Sequence, residues 1–334
     1  MTSTMHFPEG IDSTMLSAFD ACPQKFFVEF ILRRMPIGRS IHLHAGGCMA
    51  SAFEKVRRLF YKEKLPLEEC LFEAYKSFVA EWGDIEPPER EYKDFVNCWA
   101  AVEQYFKHYH PATDYYQPYI LKDGSPGVEF HFAITMEILH PITQEPILFT
   151  GRADLLAAPT QTPNMVFVVD EKTTKAMGPS WPYQWDMRGQ FYGYTYAAKY
   201  MGFPAVGALV RGIAIKQTAF DFQEKPILLT DEQLQIWWYE AHKKVIRMVQ
   251  MFNAAQAVED DPAAMHRSFD KSFGDACQSY GGCVFRDLCT HPEPWLIYAG
   301  YETRYWNPLA KDPTAESEDR TVGMDEVSLR ELVS

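Results

Sequence analysis

Apolar and polar positions alternate along the middle of the chain in a way that predicts β-strands. Residues 128–134, VEFHFAI, alternate with a period of two, as expected for a half-buried strand. Apolar runs also precede Gly151 and fill Met165 to Val169. The residues from Val206 to Lys216 and from Ala219 to Leu229 predict two further strands.

Apolar residues at helical spacing flank this predicted sheet. Asp12 and Ser13 are N-cap candidates for an amphipathic run from Thr14 to Arg34, and Pro23 predicts a break in that run. Residues 66–110 predict two helices, and helices are also expected over 183–201 and 230–253. We therefore predict an α/β protein with a mixed central sheet flanked by helices, an N-terminal helical portion and a C-terminal cysteine-rich closure.

Length and composition limit the class of protein. The chain has 334 residues, enough for one large or two small domains, and 47% of them are hydrophobic, which is normal for a globular protein. No run of about 18 apolar residues predicts a transmembrane helix. The first residues lack the pattern of a signal peptide, so we expect a cytoplasmic protein whose seven cysteines are thiols or metal ligands.

The net charge of −13 argues against a protein that coats DNA without specificity. Part of the negative charge is local, since residues 311–334 hold seven acidic and three basic residues and predict a flexible acidic tail. A confined basic groove is still able to guide a single strand.

The most informative stretch is 151–194. Asp154 follows one predicted strand and Asp170 ends the next, so neighbouring strands would bring the two carboxylates together. Two such carboxylates repel each other unless a cation lies between them. Oxygen ligands suit Mg²⁺ or Mn²⁺ rather than Zn²⁺.

Three further side chains complete this candidate site. Lys172 lies two residues after Asp170, so on a strand both leave from one face, where an ammonium group would orient a water or stabilise a phosphate. Gln190 and Tyr194 are four residues apart, so on a helix they share a face suited to a phosphate backbone or a base.

These residues form three motifs in a fixed order along the chain. The motifs are Gly151-x-x-Asp154, Asp170-x-Lys172 and Gln190-x-x-x-Tyr194. Their order and context resemble the PD-(D/E)xK nuclease superfamily, and within it the RecB-like exonucleases. The resemblance implies a restriction-endonuclease-like core in which Asp154, Asp170 and the backbone carbonyl of Glu171 bind Mg²⁺ or Mn²⁺. It also implies that Lys172 positions or deprotonates the attacking water, while Gln190 and Tyr194 hold the nucleic-acid strand.

The same resemblance suggests two further acidic metal ligands. Many relatives carry a metal-binding histidine at the position of Ala50, so that ligand is absent here. Glu54 lies one helical turn further and is a candidate replacement, with an ordinary surface glutamate as the alternative. Glu129 stands where several relatives carry an acidic residue, and the alternative is a solvent-facing strand position.

Cysteines near the C-terminus predict a second centre. Cys277, Cys283 and Cys289 are spaced C-x5-C-x5-C, and three thiolates need a fourth to hold a cubane or a tetrahedral metal. Relatives with a [4Fe–4S] cluster close it with one N-terminal and three C-terminal cysteines, which implies that Cys22 is the fourth ligand. A Zn²⁺ site and unliganded thiols are the alternatives.

The resemblance implies a DNA exonuclease that acts on single strands or DNA ends. It also implies a role in bacterial or phage recombination, replication or repair, with a recombination or replication protein as an expected partner. A non-catalytic DNA-end-binding subunit and an endonuclease of the same superfamily are the alternatives. The predicted organisation is a helical region at 1–112, a nuclease core at 113–260, a cysteine-rich closure at 261–310 and an acidic tail at 311–334.

Overall fold

The computed structural model describes residues 5–38, 40–88, 91–217, 219–278 and 282–309. The helices in this part of the chain are α1 (Ser13–Ala21), α2 (Pro23–Phe26), α3 (Ile41–Tyr61), α4 (Leu67–Trp82), α5 (Phe95–His108), α6 (Gly189–Tyr200), α7 (Asp231–Gln256), α8 (Pro262–Arg267) and α9 (Arg286–Thr290). The strands are β1 (Gly10–Ile11), β2 (Arg34–Pro36), β3 (Tyr116–Pro118), β4 (Val128–Leu139), β5 (Pro146–Pro159), β6 (Val166–Thr174), β7 (Ala205–Ile215), β8 (Phe220–Leu228) and β9 (Tyr301–Thr303).

Seven of these strands form one mixed sheet within the described residues. Its main path runs β1-β5-β6-β7-β8, and β3 and β4 also pair with β5. The β5–β6 and β7–β8 pairs are antiparallel, whereas β6 and β7 are parallel and are connected through α6. A parallel pair needs such a crossover, and a helix is its usual form. The predicted α/β fold with a mixed, helix-flanked sheet is confirmed.

The chain divides into two compact units, each built from separated segments. Among the described residues, one unit comprises 5–38, 132–151 and 235–309. The other comprises the described residues of 40–131 and 152–234. We call it the motif unit because it holds Asp154, Asp170, Lys172, Gln190 and Tyr194 of the three motifs. The first is called the cysteine unit, since it holds Cys22 and the three C-terminal cysteines.

In the motif unit, the two faces of the sheet have different neighbours. Helices α3, α4 and α5 pack together and bury the β7 side chains Ile213 and Ile215. Helix α6 packs on β6 and β7. Because side chains alternate along a strand, even-numbered residues of β7 leave from the face opposite to Ile213 and Ile215.

In the cysteine unit, the N-terminal helices pack against the C-terminal segments. The rings of Phe27 and Phe269 stack with centroids 4.6 Å apart, and the Gln24 N–H donates to the Asp270 carbonyl at 2.9 Å. Strands β2 and β9 pair antiparallel. Contacts between residues about 240 positions apart therefore bring the two ends of the described chain together within this unit.

Most predicted elements are present with shifted boundaries. The break near Pro23 is confirmed: α1 ends before Cys22, and Pro23 opens α2, where its missing N–H costs nothing. The helical region also contains the short strands β1 and β2, which were not predicted. The predicted boundaries at 112, 260 and 310 stay predictions, and the predicted tail at 311–334 lies outside the described residues. No helix in the described part of the chain is long and apolar enough to cross a membrane.

Candidate active site

The ends of β5 and β6 bring Asp154 and Asp170 together. Leu155 pairs with Val169 in an antiparallel register, and one step further along this register Asp154 stands opposite Asp170. The backbone N–H of Glu171 donates to Asp154 Oδ2 at 2.9 Å. The strand pairing that the apolar runs predicted thus places both carboxylates on one face of the sheet.

Lys172 and Gln190 surround the carboxylate of Asp170. Lys172 Nζ lies 2.6 Å from Asp170 Oδ2, and the Gln190 amide donates to Asp170 Oδ1 at 3.0 Å. Lys172 also donates to Gln190 Oε1 at 3.3 Å. Tyr194 lies one turn further along α6 and is buried. The structure therefore brings Asp154, Asp170, Lys172 and Gln190 into one cluster.

Glu171, between the two motif residues of β6, projects to the opposite face of the sheet. Its carboxylate forms an ion pair with Arg57 of α3, in which the two terminal guanidinium nitrogens donate, and it accepts a 2.8 Å hydrogen bond from the Tyr105 hydroxyl. The side chains of Arg57 and Glu171 are each 5% exposed. A buried ion pair needs such additional hydrogen bonds to offset the loss of hydration.

Arg211 extends this buried network along the neighbouring strand. It is the register partner of Glu171 on β7, donates to the Tyr105 hydroxyl at 3.2 Å, and forms ion pairs of 2.8 Å with Asp114 and with Glu224. The network joins α3, α5, β6, β7 and β8 through charged hydrogen bonds. It holds the middle of β6 in place on the face opposite Asp170 and Lys172.

This network was not among the features predicted from the sequence. Tyr105 fits the helical spacing of core residues, and it is buried as that pattern predicts, but its hydroxyl also bonds to Glu171. Arg211 carried a usable signal, because it is a single charge within the apolar run AVGALVRGIAI of β7. Charged residues are seldom fully buried unless they are paired, so a charge in such a run predicts a buried partner.

Burial and mutual repulsion govern the charges of the site. Burial, and then the charges of Asp170, Glu171 and Glu129, raise the pKa of Asp154 well above its usual value. Burial also raises the pKa of Asp170, although Lys172 opposes this effect. Burial alone would raise the pKa of Glu171, but the charge and hydrogen bonds of Arg57 outweigh burial and lower it. Positive charge thus outweighs burial at Glu171, but it does not do so at either aspartate.

Glu129 and Glu54, the two further candidate ligands, are both near this charge cluster. Glu129 has a φ of 53°, pairs with Arg152 at 2.8 Å, and contributes to the raised pKa of Asp154. Burial raises the pKa of Glu129 to about 7, with Glu54 adding to the shift and Arg152 opposing it. Glu54 itself accepts a 2.7 Å hydrogen bond from Arg58 on the same helix.

The donor set of this site fits a hard divalent cation. Asp170 Oδ2 is buried and faces the Lys172 ammonium at 2.6 Å, with no hydrogen bond of regular geometry among the described residues. No group of three His, Cys, Asp or Glu side chains within the described ranges is placed to hold a metal ion. Two carboxylates with one backbone carbonyl and water still match the oxygen coordination that Mg²⁺ prefers.

The four predicted cluster cysteines lie in one region of the cysteine unit. The sulfur of Cys22 accepts from the Ser272 N–H at 3.4 Å, and the Cys277 thiol donates to the Ser272 carbonyl at 3.2 Å. Burial raises the pKa of Cys289 to about 11, and Cys22, Cys283 and Cys277 each add to this shift. Each of the other three sulfurs thus lies close enough to Cys289 to affect its pKa, but no three of the described cysteines are placed together to hold a metal ion.

Comparisons with known proteins identify the class. The model of the PD-(D/E)XK nuclease superfamily matches residues 13–290. The chain therefore belongs to the PD-(D/E)XK nuclease superfamily. A search of curated proteins found no match. A solved structure described as "Crystal structure of SSO0001" is similar at 10% identity and a TM-score of 0.29, over 77% of this chain and 98% of that chain. At these values the similarity adds nothing to the assignment.

Replacing Arg57 by alanine is expected to destabilise the protein by about 3–5 kcal/mol, because it leaves the buried Glu171 carboxylate without its counter-charge. Chemical denaturation measures this loss. The matched control is Arg58→Ala, since Arg58 is adjacent, half-exposed and paired with Glu54, and such a pair contributes at most about 1 kcal/mol. Equal losses for the two variants would contradict a structural role for the Arg57–Glu171 pair.

Removing the Glu129 carboxylate is expected to change how stability depends on pH. Folded Glu129 binds its proton more tightly than unfolded Glu129, whose pKa is about 4.5, so its contribution to stability falls as pH rises from about 4.5 to about 7. Glu129→Gln should therefore gain stability relative to wild type over this interval in chelator-treated buffer. Denaturant titrations at several pH values measure the difference, and Glu68→Gln on the surface of α4 is the control. If the difference in unfolding free energy between the two proteins does not change with pH, burial does not raise the pKa of Glu129.

Proposed function

We propose that this chain is a metal-dependent deoxyribonuclease of the RecB-like type, an exonuclease that degrades single strands or DNA ends. Membership of the PD-(D/E)XK superfamily supports nuclease activity. The observation that carries the proposal is the cluster on the α6 face of the sheet, in which Lys172 lies 2.6 Å from Asp170 and Gln190 bonds to both. A buried carboxylate pair with an adjacent ammonium group fits phosphodiester hydrolysis.

In this proposal Asp154, Asp170 and the carbonyl of Glu171 hold one or two Mg²⁺ or Mn²⁺ ions. When bound, such an ion polarises the phosphate and lowers the pKa of a coordinated water. Burial is the main cause of the raised pKa of both aspartates, with repulsion by neighbouring carboxylates adding to it, and a cation held there would offset this repulsion. Glu129 and Glu54 are proposed as further ligands, because the charge of Glu129 raises the pKa of Asp154 and the charge of Glu54 raises the pKa of Glu129.

The remaining side chains position the reactants. Lys172 is 30% exposed, so its ammonium reaches both Asp170 and an incoming water or phosphate, and it orients or helps deprotonate that water. The Gln190 amide fixes the Asp170 carboxylate by donating to Oδ1. Tyr194, one turn further on the same helix, is proposed to help Gln190 hold the strand.

The second part of the proposal is a structural [4Fe–4S] cluster held by Cys22, Cys277, Cys283 and Cys289. Its support is that Ser272 bonds to both Cys22 and Cys277, and that Cys22, Cys277 and Cys283 each add to the raised pKa of Cys289. The cluster would join the N-terminal helices to the C-terminal segment within the cysteine unit. By the family resemblance, the protein would act in bacterial or phage recombination, replication or repair, together with a protein of those processes.

Lys172→Ala is expected to abolish DNA degradation while leaving the fold intact. The assay follows end-labelled single- and double-stranded DNA with Mg²⁺ or Mn²⁺, using protein purified without oxygen. A loss of about 100-fold or more is expected, because removing a positioned proton-transfer group costs 10²–10⁴ in rate. The control is Lys175→Ala, whose ammonium pairs with Glu91 on the surface.

Three results distinguish the candidate functions in this assay. Stepwise release of short products from an end supports an exonuclease. Comparing strands labelled at the 5′ end with strands labelled at the 3′ end shows which end is degraded first and so gives the polarity. Internal cuts in circular DNA identify an endonuclease instead. Wild-type protein that binds DNA with its metals present but never cuts it would contradict the catalytic proposal and favour a DNA-end-binding subunit.

The cysteine centre is expected to contain iron and acid-labile sulfide in protein purified without oxygen, with visible absorbance. Cys283→Ser should lose most of this iron, because three thiolates hold a cubane less tightly than four. Cys98→Ser is the control, since Cys98 is buried in the motif unit among the residues of α5. Stoichiometric zinc without sulfide would identify the zinc alternative, and absence of both metals would contradict a metal centre.

A further inference from the structure

The segment that connects β6 to α6 lies on the face of the sheet that carries the candidate catalytic residues. Lys172 and Gly212 are register partners on β6 and β7, so a side chain at Gly212 would leave from the same face as Lys172. The indole of Trp181 occupies that space, because a Cβ added to Gly212 would lie 2.3 Å from its Cζ2 atom. Trp181 therefore packs directly beside the base of Lys172.

Inward-facing contacts hold this segment between the sheet and α6. The rings of Trp181 and Trp185 meet edge-on at 5.5 Å, and Trp185 also packs on Phe191 of α6. The Asp186 carboxylate pairs with Lys225 of β8 at 2.9 Å, and the carbonyl of Asp186 accepts from a tyrosine hydroxyl of α6. The backbone position of the segment is thus fixed on three sides.

Two large apolar side chains of the same segment point outward. Tyr183 is 73% exposed and Met187 is 84% exposed, whereas Trp181 between β6 and Tyr183 is 4% exposed. Exposed aromatic residues that are isolated on a surface need no explanation. These two differ because they stand on a fixed segment beside an ammonium group and a carboxylate pair that are suited to phosphate chemistry.

The chemistry of a nucleic acid explains this combination of groups. Phosphates are contacted by charged groups, backbone N–H groups and hydroxyl groups, including that of tyrosine, whereas the face of an aromatic ring and the side chain of a methionine offer a phosphate no hydrogen bond. Bases, in contrast, stack on aromatic side chains, and they do so only when they are unpaired and unstacked. In a duplex the faces of the bases are covered by neighbouring bases.

We propose that Tyr183, together with Met187, stacks on an unpaired base next to the phosphodiester held at Lys172, and thereby selects single-stranded DNA over duplex. This inference rests on the proposed nuclease function. It assigns substrate selection to a segment outside the three motifs, since neither residue belongs to the cluster of Asp154, Asp170, Lys172 and Gln190.

Fluorescence anisotropy with a labelled oligonucleotide of twenty thymidines tests the proposal. The full chain carries Lys172→Ala and is kept in Ca²⁺, so that binding is measured without cleavage. Tyr183→Ala in this background is expected to weaken binding about 5- to 100-fold, the range for loss of one stacked base, whereas Tyr183→Phe should bind as before. Tyr239→Ala is the matched control, because Tyr239 is 64% exposed on α7 in the other unit.

A second probe separates stacking from contact with the backbone. It is an oligonucleotide of the same length in which the sugars carry no bases. The affinity for this probe should be the same with and without Tyr183→Ala. The affinity for a duplex of the same length should also change little. Unaltered affinity for the thymidine strand, or an equal loss with the abasic strand, would overturn the proposal.

Failure of the nuclease proposal is distinguishable from failure of this inference. If protein with an intact Lys172 cuts no DNA, the catalytic function fails, but the binding experiment still reports whether Tyr183 contacts bases. If the protein cuts DNA and Tyr183→Ala degrades single strands and duplex in the same ratio as before, the function stands and the proposed role of Tyr183 is wrong.

Discussion

Side chains alternate across β6, and this alternation separates two kinds of buried carboxylate. Asp170 and Lys172 leave from one face of the strand, and Glu171 leaves from the other. On its side of the sheet, the Glu171 carboxylate is paired with the positive charge of Arg57 and accepts a hydrogen bond from Tyr105. Among the described residues, Lys172 and Gln190 bond to Asp170, and Asp170 stands opposite Asp154. A shift of register by one residue would exchange these environments and remove the site.

The buried network around Glu171 and Arg211 is what makes that register specific. Glu171 and Arg211 are register partners and both bond to the Tyr105 hydroxyl, so a shift of β6 along β7 would move at least one of them away from its partners. An uncompensated charge at either position would cost several kcal/mol. The side chains of the network lie on the face opposite the site, so the network contributes by fixing the backbone from which Asp170 and Lys172 project.

The sequence predicted the features that depend on local patterns. Alternation and apolar runs predicted β5 to β8, and the spacing of Asp154, Asp170 and Lys172 along two strands predicted that these three side chains meet on one face. Their meeting depends only on strand period and neighbouring strands, so it is readable from the chain. The roles of these residues stay a proposal that the superfamily assignment supports.

Features that depend on distant contacts were not predictable in the same way. The partner of Glu171 is Arg57, which is 114 residues away and lies in an amphipathic helix with no local mark of its role. The packing of Trp181 on Gly212 depends on the course of a connecting segment, which has no periodic pattern to indicate it. The cysteine spacing indicated a centre, whereas its metal content depends on sulfur positions that spacing alone leaves open.

The central claim is that Asp154 and Asp170 are held together to bind a divalent cation. Calorimetric titration of Mn²⁺ into metal-free protein, in two buffers of different ionisation enthalpy, tests it most directly. The account predicts binding with release of protons, because metal displaces protons from carboxyl groups whose pKa is raised. Asp154→Asn should weaken binding at least about tenfold and reduce the proton release. Equal affinity and equal proton release in the two proteins would contradict the claim.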